Sequence, residues 1–385
     1  MLKDCTISDG TENKPIIIVN DVAASQGGAL SILRQILSEL SENKEAEHFH
    51  WIVFVSNDLM KDYNAEHIEI RKVNVKKWHK RIWWDTIGIK KYLNNSKIKP
   101  ALAVSLMSVG FKYLKVPQMV YIHQSLPYGD FSEFKRFEWK SKFYTRAIGI
   151  WMKWSISKNS IIIVQTEWMK EAVNKKLGIP IEQIQVIVPN VEKLYTTTNS
   201  IKKAAFSNRL FYPAVPTVSY KNHELLVRIL FDLKERTPKL FYRLKIVFTC
   251  KPEDSKLTRF FAELAKKWKV DSQIDWVGYI SVEQMKDEYE NADIVLFPSK
   301  LETYGLPLIE SASMGKQILV LDKPYAHDAL NHYEGVSYLS DSAIVWSRRI
   351  EEFYSKSNPP IKPLVSGENH GWSQFVKIVK AMTNQ

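Results

Sequence analysis

The sequence predicts an α/β protein built of two Rossmann-like, doubly wound domains. Three observations carry this prediction. The chain has 385 residues, too many for one ordinary domain and enough for two, each with its own core. Apolar, β-branched runs alternate with helix-length amphipathic segments along most of the chain. One polar stretch near the middle interrupts that alternation.

The first strands are residues 15–20, Pro-Ile-Ile-Ile-Val-Asn, and residues 51–55, Trp-Ile-Val-Phe-Val; residues 101–106, 118–122, 161–165 and 185–189 follow in the same manner. Continuous rather than alternating apolar strands imply burial on both faces, hence a parallel sheet covered by helices. Residues 192–208 then turn polar, with Thr-Thr-Thr-Asn-Ser at their centre, and place a domain boundary there. A second series comprises strands at 210–214, 244–249, 274–279, 294–297 and 317–321, with helices at 222–236, 257–267, 282–291 and 306–314 between them. The expected organisation is a flexible polar leader at 1–14, domains at 15–200 and 201–365, and a terminal segment at 366–385. That last segment contains a helix at 372–382 expected to return to the N-terminal domain.

Composition narrows the function classes. Only Cys5 and Cys250 are present, so neither a disulfide framework nor a cysteine zinc cage is expected. No run of eighteen apolar residues occurs and the first residues are polar, which predicts a cytoplasmic protein. The net charge is +12, and residues 71–176 hold 22 Lys and Arg against 6 Asp and Glu. That half carries the positive field and attracts phosphate-bearing partners. The basic residues are interleaved with aromatics in two segments. Residues 76–92 contain Lys76, Lys77, Lys80 and Arg81 beside Trp78, Trp83 and Trp84. Residues 131–155 contain Lys135, Arg136, Lys140 and Arg146 beside Phe134, Trp139, Trp151 and Trp154, with Phe137, Tyr144, Ile148 and Trp151 near one helical face. Cationic heads with interfacial aromatics predict docking on an anionic membrane surface, peripheral and on the inner face. No nucleic-acid-binding motif is present, and no nucleic acid is expected as a partner.

The chemistry-bearing stretch is residues 297–310, Phe-Pro-Ser-Lys-Leu-Glu-Thr-Tyr-Gly-Leu-Pro-Leu-Ile-Glu, between a strand and a helix. Pro307 suits the first helical position, where its missing N–H costs nothing. The helix then starts at about Leu306, with Glu302 on the loop and Glu310 on the first turn, too far apart in role for a glycosidase-like pair. Between them the amides of Tyr304, Gly305 and Leu306 lie at the positive helix end, a phosphate site that needs no cation. A phosphate flanked by two hydroxyl-seeking carboxylates describes a nucleotide-sugar. Taken alone, the same residues equally describe a buried loop and a helix with an acid in its first turn.

Glu302 and Glu310 with seven residues between them, the Gly-Leu-Pro inside and Ser-Ala-Ser-Met-Gly after, resemble the E-x7-E signature of family 4 retaining glycosyltransferases of the GT-B superfamily, bacterial surface-polysaccharide type. Gly27 and Gly28, after the first strand, resemble that family's N-domain glycine loop. Residues 213–223, with Lys221, resemble its diphosphate-binding region, and residues 275–279, ending in Gly278 and Tyr279, resemble its strand and glycine turn near the nucleobase. The resemblance implies a GT-B fold whose two domains face each other across a cleft. It further implies that Glu310 binds the ribose, Glu302 the transferred sugar and Lys221 the diphosphate, with Ser299 among the donor contacts. It also makes His123, at a strand end, a donor-sugar ligand, where the residue alone reads more simply as a structural hydrogen-bonder. The arginine many members carry before the lysine is absent, Val215 and Pro216 standing there; either Lys221 works with the helix dipole alone, or Arg209 or His223 substitutes. No Asp-x-Asp occurs, and no metal or other cofactor is expected beyond the nucleotide-sugar co-substrate. The implied function is retaining transfer of a sugar from a UDP- or GDP-sugar to a saccharide acceptor, expected to be lipid-linked, in polysaccharide, O-antigen or capsule biosynthesis. Its competitors are a nucleotide-sugar epimerase and a non-catalytic membrane- or nucleic-acid-binding adaptor.

Overall fold

The computed structural model describes residues 14–25, 27–75, 78–129, 138–190, 195, 206–214, 218–356, 359–364 and 371–383. These fall into two compact units. The N-terminal unit is drawn from Met1–Tyr128, Phe143–Asn190 and Glu368–Gln385, and the C-terminal unit from Gly129–Lys142 and Val191–Gly367.

Among the described residues the N-terminal unit runs β1 (Ile16–Asn20), α1 (Gly27–Glu42), β2 (His50–Val55), β3 (Ile68–Lys72), α2 (Trp78–Trp83), α3 (Ile89–Asn95), β4 (Leu102–Ser105), β5 (Gln118–Tyr121), α4 (Glu138–Ser155, from Phe143 onward), β6 (Ile161–Val164), α5 (Glu167–Leu177) and β7 (Ile184–Val186). The C-terminal unit continues with β8 (Arg209–Tyr212), α6 (His223–Arg236), α7 (Pro238–Phe241), β9 (Lys245–Phe248), α8 (Lys256–Lys267), β10 (Ile274–Trp276), α9 (Val282–Asn291), β11 (Ile294–Phe297), α10 (Leu306–Ser313), β12 (Gln317–Leu321), α11 (Pro324–Ala329), β13 (Val336–Leu339) and α12 (Ala343–Ser355). The last helix, α13 (Gly371–Thr383), belongs to the N-terminal unit.

Each unit is one parallel sheet. The orders are β3-β2-β1-β4-β5-β6-β7 and β10-β9-β8-β11-β12-β13, so the strand order reverses beside β1 in one unit and beside β8 in the other. In an open α/β sheet a ligand crevice forms at that reversal, outside the carboxyl ends of the strands. The continuous apolar runs are explained by two-sided burial: Ile17 and Val19 enter one core with Leu33, Leu37 and Trp51, and Ile18 enters another with Phe54 and Trp84.

Two strands escape the sequence pattern, β3 and β13, and both are sheet edges. Their residues are mostly half-buried, so neither carries the apolar run that a central strand needs. The strand expected at 185–189 is only Ile184–Val186. Residues 1–13 of the expected 1–14 leader and the Thr-rich centre of the expected boundary lie outside the described residues.

Candidate functional site

The C-terminal unit brings Lys221 and Glu302 together. Lys221 ends a single 3-10 turn, Ser219–Lys221, between β8 and α6, and Glu302 lies on the loop between β11 and α10. These are neighbouring strands at the order reversal. Lys221 Nζ donates to Glu302 Oε1 at 2.5 Å, and both side chains are largely sheltered, 21% and 15% exposed. The pair is a cation and an acceptor held at one point, each satisfied by the other and each able to exchange its partner for an anion or a hydroxyl.

Three tyrosines that no sequence motif marks fix this pair. The Tyr212 hydroxyl donates to the Lys221 carbonyl at 2.6 Å, and the Tyr325 hydroxyl donates to the Ser299 carbonyl at 2.6 Å. The Tyr220 carbonyl accepts the Lys300 amide at 2.8 Å. Burial first, and then the negative charge of Glu302, push all three hydroxyls above the ordinary tyrosine value, so they stay protonated donors.

Glu310 stands apart from that pair. The helix does begin at Leu306, but Pro307 is its second residue rather than its first and no acid lies in the first turn. Glu310, fifth in the helix, is on the second turn, beyond the first-turn N–H groups it was expected to accompany. Its Oε2 accepts from the Tyr289 hydroxyl at 2.8 Å. Gly305 precedes the helix with φ 85° and ψ 60°, a left-handed conformation glycine adopts without strain. A Cβ there would stand 3.1 Å from Leu308 Cδ1. The Tyr304 ring is buried, leaving its amide with those of Gly305 and Leu306 at the helix start.

Gly278 and Tyr279 follow β10, at the carboxyl end of that edge strand. Tyr279 is 84% exposed, an aromatic face open to a flat ligand, and the stem of Lys251 packs over Gly278, 3.0 Å from where a Cβ would stand. Ser299 is fully buried and its hydroxyl donates to the Leu301 carbonyl at 3.3 Å; it braces the loop rather than facing a ligand.

Neither substitute for the absent arginine fits. Arg209 begins β8, at the amino end of the strand, and is held by Glu288 at 2.9 Å and Asp275 at 3.4 Å. His223 is buried with Nε2 3.1 Å from the Ala214 carbonyl oxygen, and burial pushes its pKa down to about 3; it is neutral at pH 7 and cannot balance a phosphate. Val215 and Pro216 lie outside the described residues.

The remaining expected residues belong to the N-terminal unit. Gly27 and Gly28 open α1 and are exposed. His123 follows β5 with its amide donating to Ser108 Oγ at 3.1 Å. Its Nδ1 is sealed from solvent without a partner, and burial lowers its pKa to about 4, leaving a neutral ring. In α4, Ile148 and Trp151 pack against the core instead of forming an outward face. The outward residues are Ile150 and Trp154, 63% and 42% exposed. Trp84 is likewise core, whereas Trp83 is 49% exposed. Lys76, Lys77 and residues 131–137 lie outside the described residues. Among the described residues, no group of three or more His, Cys, Asp or Glu could hold a metal ion, and no helix is long and apolar enough to cross a membrane.

The family model for glycosyl transferases group 1 matches residues 197–363, the span that holds Lys221, Glu302 and Glu310. The chain is 28% identical over 126 residues to a GDP-Man:Man(3)GlcNAc(2)-PP-Dol alpha-1,2-mannosyltransferase of Caenorhabditis elegans, covering 31% of this chain and 27% of that protein. It spans less than half the length of the curated relatives it matches. Among solved structures it resembles WaaG, a glycosyltransferase involved in lipopolysaccharide biosynthesis, with TM-score 0.66 and 16% identity over 95% of this chain and 98% of that one. It also resembles Anabaena HepE in complex with UDP and glucose, with TM-score 0.64 and 12% identity over 96% and 99%. The two parallel-sheet units thus have the GT-B fold, and the match to the glycosyl transferases group 1 model covers residues 197–363.

Proposed function

We propose that the chain is a retaining, metal-independent glycosyltransferase of the E-x7-E, family 4 kind, moving a sugar from a UDP- or GDP-sugar to a saccharide acceptor. The observation that carries this reading is the Lys221–Glu302 pair at 2.5 Å, at the order reversal of a parallel sheet where such folds hold ligands. In this reading the donor diphosphate takes Lys221 from Glu302, and the freed carboxylate accepts a hydroxyl of the sugar. Glu310, steadied by Tyr289, accepts from the ribose, and Tyr279 covers the base. The bond from the sugar's anomeric carbon to the phosphate oxygen breaks while the acceptor oxygen bonds to that carbon from the same face, and the acceptor proton passes to the departing phosphate. Lys221 and the helix start at Gly305 stabilise the charge that builds on that phosphate. Within the N-terminal unit, Gly27, Gly28 and His123 are the residues this reading assigns to ligand contact.

The acceptor we propose is a lipid-linked saccharide of a surface polysaccharide, met by peripheral association with the cytoplasmic membrane face. A patch in the N-terminal unit supports this: Tyr113 and Trp154 stack edge-on at 6.0 Å, Lys112 Nζ sits 5.2 Å over the Trp154 ring, and Ile150 stands exposed one turn before.

A panel of UDP- and GDP-sugars, followed for hydrolysis and transfer, tests the reading. Glu302→Gln and Lys221→Met should each lower kcat by about a hundredfold or more, Glu310→Gln should chiefly raise KM, and excess chelator should change nothing. Unchanged turnover in folded Glu302→Gln protein would overturn the site assignment. Conversion of the donor to its epimer, with no transfer, would favour the epimerase instead.

A further inference from the structure

Lys221 and Glu302 reach each other from two separate loops, and a 2.5 Å contact between loops survives only if both are tethered. One tether is the Lys300 amide on the Tyr220 carbonyl, at 2.8 Å. The others converge on a residue from a third element. Asp341, just after β13, accepts from Asn222 Nδ2 on Oδ1 at 3.0 Å, and its Oδ2 lies 2.6 Å from Lys300 Nζ. Asn222 is the neighbour of Lys221, and Lys300 is two residues before Glu302. Asn222 is also left-handed, φ 57° and ψ 35°, a conformation that a side-chain anchor helps hold.

We propose that Asp341 is a positioning residue of the donor site, a carboxylate clamp that couples the loop carrying Lys221 to the loop carrying Glu302. The assignment rests on the donor-site reading above. Burial alone would raise the Asp341 carboxyl, but the hydrogen bonds from Lys300 and Asn222 outweigh it and hold the group below the usual carboxylate range, so the clamp is ionised at neutral pH. Lys300 is only 16% exposed while Asp341 is 43% exposed, so removing the carboxylate takes a 2.6 Å partner from Lys300 without opening a core. A variant at 341 should fold.

The test has two arms. Hydrogen exchange followed by mass spectrometry on Asp341→Ala should show both segments, 218–223 and 299–305, losing protection together, by about threefold or more. In the second arm, the Kd for UDP or GDP, whichever wild-type protein binds, should rise by about three- to tenfold in Asp341→Ala. It should recover in part in Asp341→Asn, whose carbonyl can still accept from Asn222. Lys300→Met and Asn222→Gly, the latter keeping the left-handed backbone, should reproduce part of the loss and add nothing to Asp341→Ala. Unchanged exchange in either segment would overturn the clamp. So would looser loops with wild-type nucleotide affinity, since Asp341 would then be structural only. If wild-type protein binds neither nucleotide, the donor-site reading fails, and joint loosening of the two loops in the exchange arm alone decides for or against the coupling.

Discussion

Asp85 is 1% exposed on a single π-helical turn, Trp84–Gly88, between α2 and α3. One oxygen accepts from Asn20 Nδ2 at 2.9 Å, and the other has no partner. Burial raises its pKa to about 7, and neighbouring Asp21, also buried, is raised in the same direction by burial. The unfolded chain gives up such a proton near pH 4, whereas the folded chain keeps it to about pH 7. Between those values the folded state binds more protons than the unfolded one, so stability falls as pH rises through that window. Thermal unfolding should therefore show the N-terminal unit losing stability from pH 5 to pH 8, with Asp85→Asn removing about 1 to 4 kcal/mol of that loss; parallel pH profiles for the two proteins would contradict this. The same scale shows what could be read in the site. Glu302 stood out by loop position and residue type, and Lys221 by its resemblance to the family's diphosphate-binding region. Tyr212, Tyr220, Tyr325 and Asp341 did not, because each acts by a contact with a residue distant in sequence.

Among the elements, α13 lies at the opposite end of the sequence from most of the core it joins. Trp372, Phe375, Val376 and Val379 are buried in the core built from β1, β2, β4 and α1. Trp372 Nε1 donates to Gln35 Oε1 at 2.9 Å and Ser373 Oγ to Glu39 Oε1 at 2.7 Å. Gly371 marks how close the helix comes: a Cβ there would stand 2.3 Å from the Val188 carbonyl oxygen, a backbone atom that cannot swing aside. Gly371→Ala should thus lower the unit's stability by about 1 to 3 kcal/mol, read as a drop in its thermal midpoint. Ending the chain at residue 370 should cost more, since burying each large apolar side chain is worth about 1.5 to 3 kcal/mol. A truncated protein as stable as the full chain would refute this account of α13. Helices α6, α8, α9, α10 and α13 and the central strands were readable because period and burial coincide in them. The edge strands β3 and β13 were not, because an edge relaxes the demand for apolar residues on both faces.

For the whole molecule, the charge distribution carries a prediction that single residues do not. The surplus of Lys and Arg over Asp and Glu at residues 71–176 lies mainly in the N-terminal unit, whose outward Ile150, Trp154 and Tyr113 stand beside Lys112. Co-sedimentation with vesicles containing anionic lipid should be strong at low salt and fall as salt rises. Trp154→Ala with Ile150→Ser should weaken it at every salt concentration by removing the apolar part of the contact. No binding at low salt would dismiss the membrane reading.

The sequence by itself determined the two doubly wound units, most of their strands, the helices α6, α8, α9, α10 and α13, and the loop that bears Glu302. Those follow from local rules, namely two-sided burial of β-branched runs, helical periodicity, and the need of a strand-to-helix turn for glycine and proline. Only the tertiary structure decided that Lys221 meets Glu302 at 2.5 Å, that Glu310 falls on the second turn with Tyr289, and that Arg209 and His223 are committed elsewhere. The physical reason is the same in each case. A polar side chain takes whichever partner the packed sheet brings within hydrogen-bond reach, and that partner is set by strand order rather than by distance along the chain.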